Sequence, residues 1–281
     1  MVRLEVATTA ERPIFVISDL HIGDNGRSDH LALHGRQKLL NNFLDYVDQQ
    51  DGELIILGDL FEFCRCNLGK VLVSRKALLD RLTQMDATYV VGNHDVELAP
   101  LIGADMLRHP FFNNMTHPFT RQIADRKFMF MHGHELDPLN RGDNPGWAKV
   151  LGILRGIIEE RNGRPLRFSN RFTDACVGIK DKTLHRFDNL KVKMGRNAHP
   201  KRPGMKRKMV RRYHHDLVEN GYDVAIVGHT HRAGKCSNWY YNSGSWTGRH
   251  NDFLRISPNG TVEVFRWSAE GPVLNNKTIR Y

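Results

Sequence analysis

Apolar residues in this chain come in short runs that stop abruptly at polar ones. The run 14–18 leads into Asp19-Leu20-His21, 54–57 into Gly58-Asp59-Leu60-Phe61-Glu62, and 88–91 into Gly92-Asn93-His94-Asp95. Further on, 128–131 leads into His132-Gly133-His134, and 224–227 into Gly228-His229-Thr230-His231. Runs of this length, rich in β-branched or large apolar side chains, predict strands buried on both faces. Between the early strands, Leu39, Leu40, Phe43 and Val47 recur at helical spacing, and Leu72, Leu78, Leu79 and Leu82 predict a second helix. Strands alternating with helices predict an α/β layer structure. After Gly234 the pattern turns β-rich, with strands expected at 239–241, 253–256 and 262–267 and a hairpin turn at Pro258-Asn259-Gly260. The chain shows no internal repeat and no low-complexity tract.

A different texture interrupts this order between the fourth and fifth runs. Asn144-Pro145 has the chemistry of a helix start. Trp147, Val150, Leu151, Leu154, Ile157 and Ile158 then fall on one helical face, with Lys149 and Arg155 elsewhere. Residues 139–205 are therefore expected to form an inserted helical cap within a single domain of residues 1–281. A helix should follow from about Lys206, facing inward through Met209, Val210, Tyr213 and Leu217 and stopping at Asn220-Gly221. The apolar face of the cap has two uses open to it, contact with a lipid chain or packing on the main domain.

Charge changes the picture of this insert. The formal net charge is +10, yet residues 139–216 alone hold 20 Lys and Arg against 7 Asp and Glu, whereas the rest holds 21 against 24. Excess positive charge concentrated in one stretch favours an anionic partner: nucleic acid, a phospholipid surface or a phosphorylated substrate. The run 201–212 is the most basic part, and a solvated helix face is the alternative to an anion site there. Four cysteines (Cys64, Cys66, Cys176, Cys236) form no CxxC pair and no zinc-finger spacing, so they read as ordinary thiols of a reducing compartment. No stretch approaches the roughly 18 apolar residues of a membrane span, and the first twenty residues lack a secretory pattern. The expected location is the cytoplasm, with the basic insert offering contact with an inner membrane surface.

The polar residues at the strand ends carry the chemistry. Asp19, His21, Asp59, Asn93, His132, His229 and His231 make a mixed set of carboxylates, imidazoles and one amide. Such a set suits Mn²⁺, Fe or Zn²⁺ better than Ca²⁺ or a thiolate zinc site. Seven groups are too many for one ion that must also bind substrate, and enough for two if one carboxylate bridges. In Asp-x-His and His-x-His the two side chains sit at i and i+2, so both can reach one centre. Any one of these residues alone reads as a turn former. Five successive strands ending this way do not, because turn chemistry favours Asn, Gly, Asp and Ser over His.

The order D-x-H, G-D-x-x-E, G-N-H-D, H-G-H and G-H-x-H resembles the calcineurin-like metallophosphoesterases, from about Ile14 to Trp246 without the basic insert. The resemblance implies a pair of packed mixed β-sheets flanked by helices. It implies one ion held by Asp19, His21, Asp59 and His231 and a second by Asp59, Asn93, His132 and His229, with Asp59 bridging. His94 would protonate or stabilise the leaving oxygen, and Asp95 would orient His94. Two cations about 3.5–4 Å apart neutralise a phosphate ester and lower the pKa of bound water towards 7, which provides a hydroxide for in-line attack. The chain has no GxxxxGK[ST] loop and no evident Ser, Thr or Cys nucleophile with an adjacent base, so direct attack by water is expected. Mn²⁺ is the ion expected, with Fe or Zn²⁺ as alternatives.

Gly58-Asp59-Leu60-Phe61-Glu62, Gly228-His229-Thr230-His231-Arg232 and Tyr241-Asn242-Ser243-Gly244-Ser245-Trp246 look more specifically like the UDP-2,3-diacylglucosamine pyrophosphatase group. That group cleaves a lipid-linked pyrophosphate in lipid A synthesis and holds acyl chains in a helical insert. The likeness implies a phosphorylated lipid as substrate, with Arg232, Trp147, Leu151 and Arg155 as candidate contacts. Three features depart from the group: His94 stands where its members have Arg, His134 where Asp is usual, and the insert is longer. Hydrolysis of nucleic acid or cyclic nucleotides, a broad-specificity phosphoesterase and a non-catalytic scaffold are the competing readings. No nucleic-acid-binding motif accompanies the basic stretch, and a scaffold has no need of an intact ligand set.

Overall fold

A computed structural model describes residues 11–25, 29, 31–32, 35–64, 66–104, 109–136, 205–275 and 277–279. In chain order the strands are β1 (Ile14–Ile17), β2 (Glu53–Leu57), β3 (Thr88–Val90), β4 (Met115–Thr116), β5 (Phe119–Ile123), β6 (Arg126–Phe130), β7 (Val224–Val227), β8 (Gly234–Cys236), β9 (Tyr240–Asn242), β10 (Asp252–Ile256), β11 (Val262–Ser268) and β12 (Gly271–Leu274). The helices are α1 (Arg36–Gln49), α2 (Leu68–Ser74), α3 (Lys76–Gln84) and α4 (Met205–Asn220).

The strands make two mixed sheets. One has seven strands in the order β12-β11-β10-β1-β2-β3-β4, the other five in the order β5-β6-β7-β9-β8. In the first, β1 to β4 run parallel while β10, β11 and β12 pair antiparallel. In the second, β6, β7 and β9 are parallel and the outer strands β5 and β8 antiparallel.

The two-residue period of a strand explains why these runs are apolar throughout. Ile14 and Val16 of β1, Ile55 and Leu57 of β2, and Leu254 and Ile256 of β10 face Phe128, Phe130, Val224 and Ile226 of the second sheet in one buried layer. The alternate residues Phe15, Ile17, Leu54, Ile56 and Phe253 turn the other way, against Leu40, Phe43 and Val47 of α1 and Leu78, Leu79 and Leu82 of α3. On the outer face of the second sheet, Ala225, Val227 and Tyr240 pack against Val210, Tyr213 and Leu217 of α4. Helices, sheet, sheet and helix thus form four layers, and every strand between two layers must be apolar on both sides. This is the two-sheet α/β sandwich flanked by helices that the resemblance implied.

Local departures have local causes. The second expected helix is two, α2 and α3, broken at Arg75. Arg75 is 3% exposed, and its guanidinium donates to the Gly23 carbonyl (3.1 Å), to Gln37 Oε1 (2.7 Å) and to the Asp29 carboxylate. Strands β5, β8 and β12 were not expected, since their sequences FTRQI, GKC and GPVL lack an apolar run. Helix α4 ends at Asn220, and Gly221 at φ 64° supplies the left-handed stop. The expected cap over residues 139–205, with Trp147, Leu151 and Arg155, lies outside the described residues except Met205, where α4 begins.

Candidate metal centre

Strand ends from both sheets converge at one edge of the sandwich. Asp19 and His21 follow β1, Asp59 follows β2, and Asn93 and His94 follow β3. His132 follows β6, and His229 and His231 follow β7. Polar side chains gathered beyond the carboxyl ends of parallel strands are where an open α/β sheet builds a site.

The chain turns sharply to aim them. Asp19, His21, Asp59, His229 and His231 have φ of 55°, 49°, 52°, 64° and 55°. Such left-handed backbone is uncommon for residues with a Cβ and costs roughly 1–3 kcal/mol each, so neighbouring contacts must hold it. The amide of Asp19 donates to the Gly58 carbonyl (3.1 Å) and that of His21 to the Asp59 carbonyl (2.9 Å), which ties two ligand loops together. The Gly228 amide donates to the His132 carbonyl (2.9 Å) and does the same in the second sheet. Gly92 is required by close approach, because a Cβ there would lie 2.2 Å from Asp59 Oδ1 and 2.3 Å from its amide nitrogen.

The Asn242–Trp246 segment, marked in the sequence by likeness alone, has a physical task. Ser243 Oγ lies 2.7 Å from Ser18 Oγ, which also donates to Asp19 Oδ2. The Trp246 amide donates to the Asp19 carbonyl (3.1 Å), and Asn242 Nδ2 donates to the Gly228 carbonyl (2.6 Å). The segment therefore joins the Asp19 loop of one sheet to the histidine loop of the other. Arg36 of α1 anchors it from behind, donating to the carbonyls of Trp246, Gly248 and His250 and to Asn251 Oδ1.

The side chains fit cations. Among the described residues, the buried Asp19 Oδ1 has no well-aligned hydrogen-bond donor, yet it lies 3.0 Å from His231 Nε2 and 3.9 Å from His21 Nε2. His21 Nε2 and His231 Nε2 face each other at 3.3 Å. A carboxylate oxygen and two imidazole nitrogens converging with poor hydrogen-bond geometry are placed as ligands are around an ion. On the other side, His132 Nε2 lies 3.3 Å from Asp59 Oδ2 and 3.2 Å from Asn93 Oδ1, and the His229 ring is 5.2 Å from the His132 ring. Asp59 Oδ2 is also 3.7 Å from His21 Nε2, so this carboxylate faces both groups. Asp19, His21 and His231 form one candidate cluster, and Asp19, Asp59 and His132 another. His132 Nδ1 donates to the Leu57 carbonyl (2.7 Å), which turns Nε2 towards Asp59.

Electrostatics points the same way. Burial pushes the Asp19 carboxyl up, but the imidazoles of His231 and His132 outweigh it and hold the group at about 2. Burial likewise opposes ionisation of Asp59, and His132, His94 and His21 hold it well below the usual carboxylate range. Burial would lower His132, but Asp59 raises it to about 10. Two buried carboxylates that stay ionised draw positive charge wherever it is available, and divalent cations answer that demand.

His94 sits beside this centre, with its amide donating to Asp59 Oδ1 (2.8 Å) and its ring 4.5 Å from that of His21. Its Nδ1 lies 2.8 Å from Glu62 Oε1, and the other oxygen of Glu62 is 3.3 Å from His21 Nδ1. Burial lowers the His94 pKa, but the charges of Glu62 and Asp59 raise it well above the ordinary value. This corrects the expectation for Asp95. Its carboxylate accepts from the Gly92 amide (2.6 Å) and the Phe61 amide (3.2 Å), so it fixes the loop, while Glu62 orients His94. Burial and the Asp59 charge raise Asp95 to about 6.

His134 stands behind His132 and His229, its ring 5.4 Å from the first and 6.4 Å from the second, and burial lowers it to about 4. Arg232 is exposed immediately after His231.

Buried carboxylates and imidazoles converging at the strand ends of a two-sheet sandwich define a metal-dependent hydrolase. The profile of the calcineurin-like phosphoesterase family matches residues 12–233, and the chain belongs to that family. It is a metal-dependent phosphoesterase, and the family uses two divalent ions. No curated protein matches the sequence. Among solved structures the chain is similar to Vacuolar Protein Sorting 29 from Cryptosporidium parvum, at 13% identity and TM-score 0.43, over 94% of this chain and 95% of that one. It is also similar to a dimetal phosphatase from Danio rerio, at 13% identity and TM-score 0.44, over 92% and 99%. Among the described residues, no helix is long and apolar enough to cross a membrane.

Proposed function

We propose that the chain hydrolyses a phosphoric diester or anhydride by direct attack of water, with His94 as proton donor to the leaving oxygen. The observation that carries this reading is the position of His94, beside the Asp59 carboxylate and held at Nδ1 by Glu62, which leaves Nε2 for the substrate. Asp19, His21, Asp59 and His231 would hold one divalent ion and Asp59, Asn93, His132 and His229 the other. Two such ions, Mn²⁺ in this proposal, supply positive charge against the phosphate oxygens and an acidified water. Glu62 keeps His94 protonated at neutral pH, so the imidazole enters the reaction as an acid and leaves it neutral.

For the substrate we propose the pyrophosphate of UDP-2,3-diacylglucosamine or a related phosphorylated lipid, met at an inner membrane surface in the cytoplasm. The sequence blocks around Asp59, His229 and Trp246 support it, as does the basic stretch 139–216, whose arginines suit phosphate groups. Arg232, Trp147, Leu151 and Arg155 are the proposed contacts. The test is turnover by Mn²⁺-loaded protein on UDP-diacylglucosamine, a bis-aryl phosphate, a monoaryl phosphate and single-stranded DNA. Release of UMP at the highest rate supports the lipid substrate. Cleavage of the bis-aryl phosphate alone rejects the lipid and keeps the chemistry, and preference for DNA, weakening steeply with salt, assigns the basic stretch to nucleic acid.

A further inference from the structure

Beside the two-ion centre, a second kind of ligand set includes His94. Ligand atoms of Glu62, Cys64 and His94 all fall within 4.8 Å of one another. Glu62 is buried, while Cys64 and His94 are partly exposed. The Cys64 sulfur lies beside the His94 imidazole. Cys64 is a free thiol, and the seven candidate ligands of the main centre include no sulfur. The two places therefore differ in chemical character: oxygen and nitrogen at the main centre, sulfur with oxygen and nitrogen here.

We infer that Glu62, Cys64 and His94 form a third cation site, selective for a thiophilic divalent ion such as Zn²⁺, and that filling it switches off His94. Thiolate, imidazole and carboxylate are the ligands Zn²⁺ takes, at about 2.3, 2.0–2.1 and 2.0–2.2 Å. Three protein ligands leave a fourth position for water, which the partly exposed Cys64 side makes accessible. Tetrahedral bonds of those lengths put ligand atoms roughly 3.5 Å apart. The separations to be adjusted are at most 4.8 Å, within the reach of side-chain rotation at Cys64, which lies in a turn rather than a strand. Coordination displaces the thiol proton and the His94 Nδ1 proton to solvent and replaces the hydrogen bond between Glu62 and His94 by two bonds to the ion. The imidazole is then neutral, keeps only the weakly acidic Nε2 proton, and is tied away from its task. Mn²⁺, which prefers oxygen and nitrogen, has little affinity for this set, so the site separates an activating ion from an inhibiting one.

Binding here stands apart from the proposed catalytic role; only the inhibition rests on it. The test uses the full-length protein stripped of metal and titrated with Co²⁺. Saturation should bring a thiolate-to-cobalt charge-transfer absorption, which a centre of carboxylates, imidazoles and an amide cannot produce. Cys64→Ser should abolish that absorption and Cys66→Ser should leave it. No such band in the native protein, or a band that survives Cys64→Ser, overturns the site. With Mn²⁺-loaded protein and a bis-aryl phosphate, Cys64→Ser, read against its own rate without Zn²⁺, should need at least roughly tenfold more Zn²⁺ for half inhibition, a modest figure for losing a direct ligand when outer partners alone are worth 10–100-fold. Equal Zn²⁺ sensitivity in a pair that differs in the cobalt band overturns the switch. Absence of any hydrolysis, with the cobalt band present, counts against the catalytic reading and leaves the third site standing.

Discussion

The two sheets contribute unlike halves of the centre. The seven-stranded sheet supplies Asp19, His21, Asp59 and Asn93, and with them both buried carboxylates; the five-stranded sheet supplies His132, His229 and His231 and no carboxylate. The first half carries the charge and the second carries neutral-capable donors, so closing the sandwich sets Asp19 against His231 and Asp59 against His132. Neither sheet alone presents a site able to neutralise a phosphate. The centre is a property of their contact.

That asymmetry predicts unequal damage from equal-sized changes. Asp59→Asn removes the carboxylate that faces both clusters, and metal analysis should find both ions lost and turnover down by more than the roughly 10⁴-fold ceiling of a single proton-transfer role. His229→Ala, on the imidazole side, should leave one ion bound per chain. Equal stoichiometry in the two variants would break the comparison. Next in size, His94→Gln should keep both ions and lower kcat by roughly 10²–10⁴-fold. Loss of metal instead would make His94 a ligand and not an acid.

Glu62→Gln sharpens the account of His94. Because the Glu62 charge raises the His94 pKa, removing it lowers that pKa, and the imidazole loses its proton at a lower pH. The alkaline limb of the kcat profile should therefore move towards acid, with a loss of roughly 10–100-fold at neutral pH. A profile unmoved by this change would assign the proton to another group. The smallest effect is expected at the second sheet. Tyr213 of α4 donates to the Gly133 carbonyl (2.9 Å) beside His132, and Tyr213→Phe should cost about 0.5–1.5 kcal/mol in denaturant unfolding with both ions retained.

The same two regions differ in how plainly the sequence announces them. Strands β1 and β7 are apolar on every residue, and β2 on all but Glu53, because helices cover one face and the opposite sheet the other, and such runs cannot be mistaken for turns. Strand β5 reads FTRQI, with Thr120 and Ile123 buried and Arg121 and Gln122 half-exposed, so no run marks it. In the centre, all seven candidate ligands were legible from their place after a strand and come together in space. The partner of His94 was not. Asp95 is adjacent in sequence, but its carboxylate turns to the backbone amides of Gly92 and Phe61, while Glu62, 32 residues away, reaches the ring. Arg36 was equally hidden, since nothing in a helical arginine announces that it will anchor a loop 210 residues later.

Strand β1 lies between β2 and β10, pairing Ile14 with both Glu53 and Ile256. One edge of β1 is satisfied early by β2, but the other waits for β10, and Asp19 gains its brace from Trp246 only with that late segment. Pairings so distant along the chain are slow to form, because the intervening loop must close first. A growing chain that stops just short of residue 246 carries all seven candidate ligands yet lacks the Trp246 brace on Asp19, so the finished site belongs to the end of synthesis and not to its course.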